Sequence, residues 1–519
     1  MKLNCGLSMC DPDAEWFRSI QRQISLESPG PESVVVYESD HFSGDVFKRS
    51  VLSWSRDTSV PSPPKVTRFV YASGKKISPV LGFGTSLTDS AVLQLEKLNQ
   101  AQKDALYEFH FGLCKQTMMR VPIGSCDFSV RQYSCLKKPR SLELLAQDAE
   151  RSRTWVEQHG FETPAEDLLR EKYLMEIVQR QAPISVSVLL APWTSPPWAK
   201  DSKSFVGGKL LPECSRLWAQ CLVKYTRRYQ ELGFAVKALS LQNEPRKLPY
   251  LLAQNWETMF FSPEELGRFT TVVAQELRAQ NCSVPLLVGD DQKALLPKFV
   301  LPSLAAAQQE QCPVWAVGVH SYQWPGAEIK RGMSADQFSQ VPIVVTEFCT
   351  GFSLPLSYPR GRDSGTRHAA QYMQELINSL RNGEITGFVD WNLLLDERGG
   401  PNPYKNEVDS LSWVDDAKRL RISYMAWMFA HIAAFSGTHV CESEAAVEGM
   451  LSGLRRGLGG CLGGSQVPLV ISFCDSWRLY VTVFNNSWYG TQDYCLVVRG
   501  RHLFDTLGYR CAKTYVIKK

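Results

Sequence analysis

Two glutamates in this sequence each end an apolar run. Glu244 follows AVKALSLQN and precedes a proline, and Glu347 directly follows IVVT. A carboxylate at the end of a buried strand loses hydration energy unless it contacts polar partners or water. A single glutamate in such a place most often forms a salt bridge. Two on different strands, each beside polar neighbours, indicate acid–base chemistry. Two carboxyl groups about 5 Å apart are typical of a retaining glycosidase, in which one is the nucleophile and the other the general acid and base.

The neighbours of the two glutamates predict how these roles are divided. Glu244 follows Asn243 and is the better acid and base, because burial beside a second charge raises the pKa of a carboxylic acid. Glu347 is the better nucleophile, with the Tyr322 hydroxyl and the Arg120 guanidinium as donors that would keep it ionised. Arg120 lies within the run MMRVP, where a buried cation indicates a buried anion nearby.

Other polar side chains end further apolar runs and suit a sugar, which needs carboxylates and amides for its hydroxyls and indoles for its apolar ring faces. In chain order these residues are Asp89, Asp127, Trp193, Asn243, Asp290, Asp291, His320, Tyr322, Trp391 and Asn392. We expect His320 to be structural or to contact sugar, since the eight histidines show no metal-ligand spacing. The pair Asp290 and Asp291 lacks further oxygen ligands, so we expect it behind the site or at its rim. Neither a metal nor a cofactor is predicted.

Eight apolar runs, separated by amphipathic stretches, predict the framework that positions these residues. The predicted strands cover residues 80–86, 117–124, 184–193, 236–243, 285–291, 315–322, 342–348 and 385–392. Runs that are apolar on both faces and alternate with helices are typical of parallel strands. Eight such units predict a (β/α)₈ barrel, whose strands point their carboxyl ends at the active site. A doubly wound open sheet is the competing fold, although no GxGxxG or GxxxxGK[ST] motif follows a strand.

The two ends of the chain differ from this central region. The runs VVVYES, VLSWS and VTRFVYAS near the start, and PLVISF, LYVTVF and YCLVVRG near the end, are separated by turn residues. Such runs predict antiparallel strands. We therefore expect residues 1–80 and 436–519 to supply the strands of one sandwich-like all-β domain, packed beside a catalytic barrel that spans residues 81–435.

Composition excludes some classes of function. A formal net charge of +4 over 519 residues gives no electrostatic basis for binding nucleic acid. No run approaches the roughly 18 apolar residues of a membrane span. The N-terminal stretch MKLNCGLSMCDPDAEW is too weakly apolar for a signal peptide, so either a cytosolic location or a leader outside this sequence fits.

The cysteines and the glycosylation triplets leave the compartment open. Fifteen cysteines are scattered without a CxxC pair, and Cys5 with Cys10 would suit a small disulfide in an oxidising compartment. Asn281-Cys-Ser and Asn485-Asn-Ser are sequons that fit a secretory route, although such triplets also arise by chance.

Eight motifs follow one another between residues 80 and 410. They are LGFGTSLTDSA, RVPIGSCDFSVRQY, LLAPWTSPPWAK, LQNEP, GDDQKALLP, GVHSY, VVTEF and DWNLLLDERGGPN. In this order they resemble glycoside hydrolase family 30, and most of all its lysosomal glucosylceramidase (acid β-glucosidase) branch. The segments 246–256 and 451–464 look unlike that branch, which leaves the preference for a lipid tail open.

The resemblance implies a role for each matched residue. Glu244 becomes the acid and base, Glu347 the nucleophile, and Asn243 the partner of the sugar 2-hydroxyl. The resemblance also places Asp127, Trp193 and Trp391 at the outer hydroxyls of the sugar.

The resemblance also implies a substrate and a place of action. It implies retaining hydrolysis of glucosylceramide to glucose and ceramide without a cofactor, in the lysosome, at a membrane surface and with a saposin-like activator. The residues alone predict two glutamates and a sugar site but not the ceramide. The alternatives are the same fold and mechanism on another β-glycoside, such as a xyloside or another glycolipid, and a catalytically silent barrel that binds glycolipid.

Overall fold

The fold consists of a closed barrel and a nine-stranded sheet beside it. The computed structural model describes residues 8–10, 12–55, 68–180, 185–246, 255–293, 296–322, 341–351, 364–447, 467–487 and 490–519. The segments 247–254 and 448–466, which hold most of the two departures from the family pattern, lie outside the described residues.

Twenty-one strands are described, in three sheets. Before the barrel come β1 (Ser8–Cys10), β2 (Ser33–Asp40), β3 (Asp45–Ser53) and β4 (Arg68–Pro79). The barrel strands are β5 (Gly82–Ser86), β6 (Gln116–Ile123), β7 (Ser187–Pro192), β8 (Ala235–Ser240), β9 (Leu286–Gln292), β10 (Val314–His320), β11 (Ile343–Glu347) and β12 (Ile385–Val389). After the barrel come β13 (Leu395–Asp396), β14 (Ser412–Val414), β15 (Leu420–Ser423), β16 (His439–Val447), β17 (Leu469–Cys474), β18 (Arg478–Phe484), β19 (Gln492–Val498), β20 (Arg501–Leu507) and β21 (Ala512–Lys518).

The helices alternate with the barrel strands, as a (β/α)₈ fold requires. The α-helices span Ala14–Leu26, Asp89–Leu95, Gln100–Tyr107, Leu142–Gln147, Ala149–Trp155, Ala165–Arg180, Ser215–Glu231, Pro263–Ala279, Leu296–Gln309, Ser364–Leu380 and Tyr424–Ala433. The helix Pro263–Ala279 shows why they begin where they do. Ser262 accepts a hydrogen bond from the Glu265 backbone, and the Glu265 carboxylate accepts one from the Ser262 backbone, ahead of a proline at the first turn. None of the described helices is long and apolar enough to cross a lipid bilayer.

The barrel closes through parallel pairing of its last strand with its first. Gly387 of β12 lies opposite Gly82 of β5, and every neighbouring pair between them is also parallel. The interior is filled by a layer of apolar side chains. They are Met118, Leu189, Ala238, Leu287, Ala316, Val344 and Val389. The eight predicted strands and the barrel are therefore confirmed, and the open doubly wound sheet is excluded.

Strands from both ends of the chain form the nine-stranded sheet, in the order β20-β19-β4-β16-β17-β18-β21-β2-β3. The Tyr494 hydroxyl on β19 contacts the Tyr515 hydroxyl on β21, although four strands separate these two in the sheet. The sheet therefore folds over on itself into the sandwich-like all-β domain predicted from both ends. One pair departs from the antiparallel prediction, since β4 and β19 are parallel. They join two distant parts of the chain, so no hairpin turn imposes an antiparallel direction.

A buried helix joins the sandwich to the barrel. Every residue of Tyr424–Ala433 is buried. The Tyr424 hydroxyl donates to the Arg510 carbonyl at 2.7 Å, and the His431 ring contacts the hydroxyls of Thr514 at 2.8 Å and Ser39 at 2.9 Å. Tyr424 and His431 thus meet neutral partners on the sandwich, which fixes the two units against each other.

The cysteines described in the structure are free thiols, so no disulfide links them. The bridge predicted between Cys5 and Cys10 lies outside the described side chains.

Candidate active site

The carboxyl ends of the barrel strands bring several charged side chains together. Glu347 is the last residue of β11, His320 is the last residue of β10, and Glu244 lies in the loop after β8. Because parallel strands end at the same rim of a barrel, residues far apart in sequence meet there.

Both carboxylate oxygens of Glu347 accept hydrogen bonds. Arg120 donates from Nη1 to Oε2 at 2.5 Å, and the Tyr322 hydroxyl donates to Oε1 at 2.9 Å. The side chain of Glu347 is 9% exposed, so little water screens these contacts. The two donors named from the sequence thus contact this carboxylate and stabilise negative charge on it.

Arg120 on β6 is the buried cation at the centre of the site. Its Nη2 donates to Asn243 Oδ1 at 2.7 Å and to Asp290 Oδ2 at 3.1 Å, and its side chain has no exposed surface. Burial alone would lower the pKa of Arg120, but the carboxylates of Asp290 and Glu347 outweigh it and raise the pKa above its usual value. Because the Asn243 oxygen is turned toward Arg120, its amide hydrogens are free to face a sugar hydroxyl.

Asp290, from the acidic pair expected behind the site or at its rim, contacts the two cations that hold the glutamates. The pairing of β9 with β10 skips Asp290, and its φ of 57° lies in the left-handed region. This bulge turns the carboxylate toward Arg120, where it also accepts from Ser240 at 2.6 Å and Thr346 at 2.7 Å. Burial would raise the pKa of Asp290, but Arg120 and His320 lower it below its usual range. Asp290 is therefore a central anion of the network.

Asp291, the next residue, has the opposite environment. Burial and the nearby charge of Glu244 raise the pKa of Asp291 to about 6. Its Oδ2 accepts a hydrogen bond from the Arg246 backbone at 3.2 Å. Asp291 therefore supports the loop that carries Glu244.

Glu244 has a strained backbone and is the more open of the two glutamates. Its φ of 43° is rare for a residue with a side chain, and its backbone N–H donates to the Asp290 carbonyl at 2.9 Å. The Gln292 amide donates to Glu244 Oε1 at 2.9 Å. With 18% of its side chain exposed, Glu244 can reach a leaving group at the mouth of the barrel.

One histidine lies between the two glutamates. His320 Nδ1 is 3.0 Å from Glu244 Oε1, and Nε2 is 3.3 Å from Asp290 Oδ1 and 3.9 Å from Glu347 Oε2. Burial alone would lower the pKa of His320, but Glu347, Asp290 and Glu244 raise it to about 10. The ring is therefore an imidazolium at neutral pH and donates from Nδ1 to Glu244 and from Nε2 to Asp290.

Trp193 and Trp391, which are predicted to contact the sugar, lie beside Arg120. Their rings stack on each other with centroids 5.4 Å apart and an interplanar angle of 18°. The Arg120 guanidinium lies 4.7 Å from the centroid of the Trp193 ring. The two ring faces that meet are closed to a sugar, and the contact of each indole with an outer sugar hydroxyl stays a prediction. The stack forms an apolar wall around Arg120.

Asp127 places a carboxylate beside the two glutamates. Its Oδ2 accepts from the Asn406 amide at 3.0 Å. Among the described residues, its buried Oδ1 has no hydrogen-bond partner. Burial, with the charges of Glu347, Glu257 and Glu244, raises the pKa of Asp127 well above its usual value. An unpartnered buried oxygen at this point suits a substrate hydroxyl.

Four residues near the site were missed by the sequence reasoning. They are Gln292, Glu257, Tyr404 and Asn406. Gln292 is the last residue of β9, directly after the acidic pair, and its position at a strand end could have identified it. The other three lie in loops, where no periodicity marks a side chain that turns inward. Within the described part of the chain, no group of three His, Cys, Asp or Glu side chains is placed to hold a metal.

A barrel whose mouth holds two glutamates on either side of a histidine cation, with further carboxyl and amide groups beside them, is typical of a glycoside hydrolase. The glycosyl hydrolase family 30 TIM-barrel domain matches residues 80–439. The chain belongs to this family.

Known proteins similar to this chain agree with that assignment. The lysosomal acid glucosylceramidase of Mus musculus is 28% identical over 378 residues, which cover 70% of this chain and 68% of the mouse enzyme. An endo-1,6-beta-D-glucanase of Neurospora crassa is 26% identical over 232 residues, which cover 42% of this chain and 45% of that protein. The crystal structure of SrfJ from Salmonella typhimurium shares the fold, with a TM-score of 0.76 and 19% identity, and covers 94% of this chain and 100% of SrfJ.

Proposed function

We propose that this protein is a retaining β-glucosidase that hydrolyses glucosylceramide to glucose and ceramide. The observation that carries the mechanism is the network in which His320 contacts both glutamates while Arg120 and Tyr322 donate to Glu347. The similarity to the mouse lysosomal enzyme supports the substrate.

In the first step, Glu347 attacks the anomeric carbon and forms an ester with glucose. Glu244, protonated at this stage, gives its proton to the glycosidic oxygen, so ceramide leaves as a neutral alcohol. The donors on Glu347 hold one oxygen each, which orients the carboxylate for attack.

In the second step, the ionised Glu244 takes a proton from water, and the water oxygen attacks the anomeric carbon. The bond to Glu347 breaks, and β-glucose is released with its configuration retained. The imidazolium of His320 lies 3.0 Å from Glu244 and stabilises the negative charge that this carboxylate carries between the two steps.

We infer that Asp127 and Asn243 bind the hydroxyls of the glucose ring. Asp127 offers its unpartnered oxygen as an acceptor, and Asn243 offers amide hydrogens because Arg120 holds its oxygen. Together they select one configuration of the sugar. A sugar with a hydroxyl in another position would leave one of these buried polar groups without a hydrogen bond and would bind more weakly.

We also propose an acidic membrane surface in the lysosome as the place of action, supported by the mouse relative. A lipid held in a bilayer must be partly lifted to reach the barrel mouth, so we propose a saposin-like activator as a partner. Because Glu244 must carry a proton in the first step, activity should fall as the pH rises.

The test is release of glucose from glucosylceramide in vesicles that contain an anionic lipid, at mildly acidic pH. Three proteins are compared: wild type, Glu347→Gln, and Glu162→Gln as a control in which an exposed carboxylate loses its charge far from the site. We expect turnover by wild type and the control, and a loss of at least about 1,000-fold in Glu347→Gln with the fold retained. Equal turnover by all three would contradict the role of Glu347.

Another β-glycoside is the second candidate substrate, because the Neurospora crassa relative is an endo-1,6-beta-D-glucanase. If wild type leaves glucosylceramide intact, a panel of β-1,6-glucan, β-xylosides and aryl β-glycosides under the same conditions identifies the substrate. Failure on the whole panel would favour the catalytically silent glycolipid-binding barrel.

A further inference from the structure

A short turn, the 401–406 segment, lies beside the predicted sugar site. Asn402 organises it, since its Oδ1 accepts from the backbones of Tyr404 at 3.2 Å and Asn406 at 3.0 Å. The Asn402 amide closes the turn by donating to the Asn406 carbonyl at 3.0 Å. The segment thereby presents two side chains inward: Asn406 to Asp127, and Tyr404 to Glu257.

Glu257 lies between β8 and the helix Pro263–Ala279, on the same connection as Glu244. It has no exposed surface, and its Oε2 accepts from the Tyr404 hydroxyl at 3.0 Å. Its other oxygen, Oε1, is buried without a hydrogen-bond partner in the part of the chain that the structure describes. The next residue, Thr258, is anchored at 2.8 Å by the buried Lys200 ammonium. Glu257 is therefore a fixed point to which the 401–406 segment attaches.

We propose that Glu257 and Tyr404 form a latch between the residues before the helix Pro263–Ala279 and the 401–406 segment, and that this latch positions Asn406 against Asp127 for sugar binding. This inference rests on the proposed function and extends it, because it assigns two positioning residues to sugar recognition. Neither residue contacts the catalytic glutamates among the contacts the structure shows.

The surroundings of Glu257 explain why it should be neutral. The titratable groups that interact electrostatically with Glu257 are Asp89, Cys126, Asp127, Lys200 and Tyr404. Asp89 and Asp127 are carboxylic acids, so they carry negative charge when ionised, as Glu257 does. Lys200 is the one amine in that set: burial lowers its pKa to about 7, and its Nζ lies within hydrogen-bond distance of Thr194 and three backbone carbonyls.

Burial raises the pKa of Glu257 to about 7. Below that pH the group is an uncharged acid that accepts from Tyr404. Above it, the ionised carboxylate accepts a stronger hydrogen bond from Tyr404, and its negative charge acts on the nearby Asp127 carboxyl group. Glutamine at this position has the same shape as the protonated acid but does not ionise, so Glu257→Gln separates the charge of the side chain from its packing.

The first test uses Tyr404→Phe with 4-nitrophenyl β-D-glucoside as the probe. Loss of one partly buried hydroxyl contact should raise KM by about 3- to 10-fold, with a smaller change in kcat, because binding is weakened rather than proton transfer. A fall in kcat with KM unchanged would overturn the latch. Thermal unfolding of the variant is measured beside the kinetics, and it should show one cooperative transition.

The second test compares the ratio of KM at pH 8 to KM at pH 5.5. In wild type this ratio should be about 10, and in Glu257→Gln it should fall close to 1, which a purely structural role would not produce. Glu162→Gln, an exposed exchange of the same kind, should keep the wild-type ratio. Equal ratios in wild type and Glu257→Gln would show that the charge of Glu257 does not act on sugar binding through the latch.

A third measurement separates failure of the latch from failure of the proposed function. Hydrogen–deuterium exchange over residues 400–408 needs no substrate. At one fixed pH, Tyr404→Phe should exchange there about 10-fold faster than wild type. Faster exchange supports the latch even if wild type hydrolyses no β-glucoside. Unchanged exchange in an enzyme that is active on the glucoside would refute the latch alone.

Discussion

The barrel mouth and the junction between barrel and sandwich each contain a fully buried histidine, with opposite protonation. At the mouth, three carboxylates surround His320; burial would lower its pKa, but they raise it to about 10. At the junction, the His431 ring meets only the hydroxyls of Thr514 and Ser39, and burial lowers its pKa to about 3. Burial is the same in the two places, so the partners decide the charge.

His110 extends the comparison to a third site. It is buried between Gln116 and Ser412, and burial lowers its pKa to about 4. Away from the mouth, these buried histidines are therefore neutral and hydrogen-bonded. The mouth holds buried charges of both signs, which a protein does not need for folding alone. The difference marks the mouth as the part of the molecule that is organised for chemistry.

Removing the central cation should have the largest effect. Arg120→Met leaves Glu347 and Asp290 as buried carboxylates without their partner. We expect the free energy of unfolding to fall by about 3 to 5 kcal/mol, measured by urea unfolding at pH 6.5. Activity should fall by about 100- to 1,000-fold.

The control for this variant is Arg421→Met, which removes a nearly buried guanidinium from Asp415 in the small sheet beside the barrel. That change should destabilise the protein while kcat per folded molecule is kept. An Arg120→Met protein with wild-type activity would contradict the central position of the network.

The two histidines should give pH effects of opposite sign, each of intermediate size. The native pKa of His320, about 10, exceeds the reference value of 6.5, so its stabilisation is complete below pH 6.5 and is lost as the pH rises toward 10. The native pKa of His431, about 3, lies below 6.5, so stability is lost as the pH falls from 6.5 toward 3. Each slope has a limit of about 1.4 kcal/mol per pH unit.

Urea unfolding between pH 4.5 and 9 tests this pair of effects. His320→Gln should flatten the alkaline side of the stability profile, and His431→Gln should flatten the acid side. If both variants flatten the same side, the contrast between the two regions is wrong.

The smallest effect concerns the two sequons. Asn281 is exposed after the helix Pro263–Ala279, whereas the buried Asn485 amide donates to three backbone carbonyls within the sandwich. A glycan is attached through that amide nitrogen, so only Asn281 is available in the folded chain. After secretory expression, peptide mass spectrometry should find a glycan at Asn281 and none at Asn485. A glycan at Asn485 would show that its amide is not held as described.

Much of the barrel was predictable because each of its strands is a short apolar run between helices. The ends of those runs also pointed to Glu244 and Glu347, since polar residues at strand ends face the site, and Arg120 stood out as a cation within a buried strand. The sandwich was less visible, because β16, β20 and β21 carry charged residues that interrupt the apolar pattern. The bulge at Asp290 and the stacking of the two tryptophans depend on register and on packing between distant strands. Neither feature can be predicted from the local sequence.

The Glu257–Tyr404 pair shows the same limit within the site. Its two members are 147 positions apart in loops without periodicity, and only the folded chain brings them together. The domain boundaries and the catalytic roles of the site residues stay predictions.

The most direct test of the central claim is azide rescue of the two glutamates on an activated aryl β-glucoside. If Glu347 is the nucleophile, azide should restore turnover to Glu347→Gly and give the inverted α-glucosyl azide. If Glu244 is the acid and base, azide should rescue Glu244→Gly with the retained β-glucosyl azide. The opposite stereochemistry in the two variants would exchange the roles, and wild-type rates in both without azide would contradict the account.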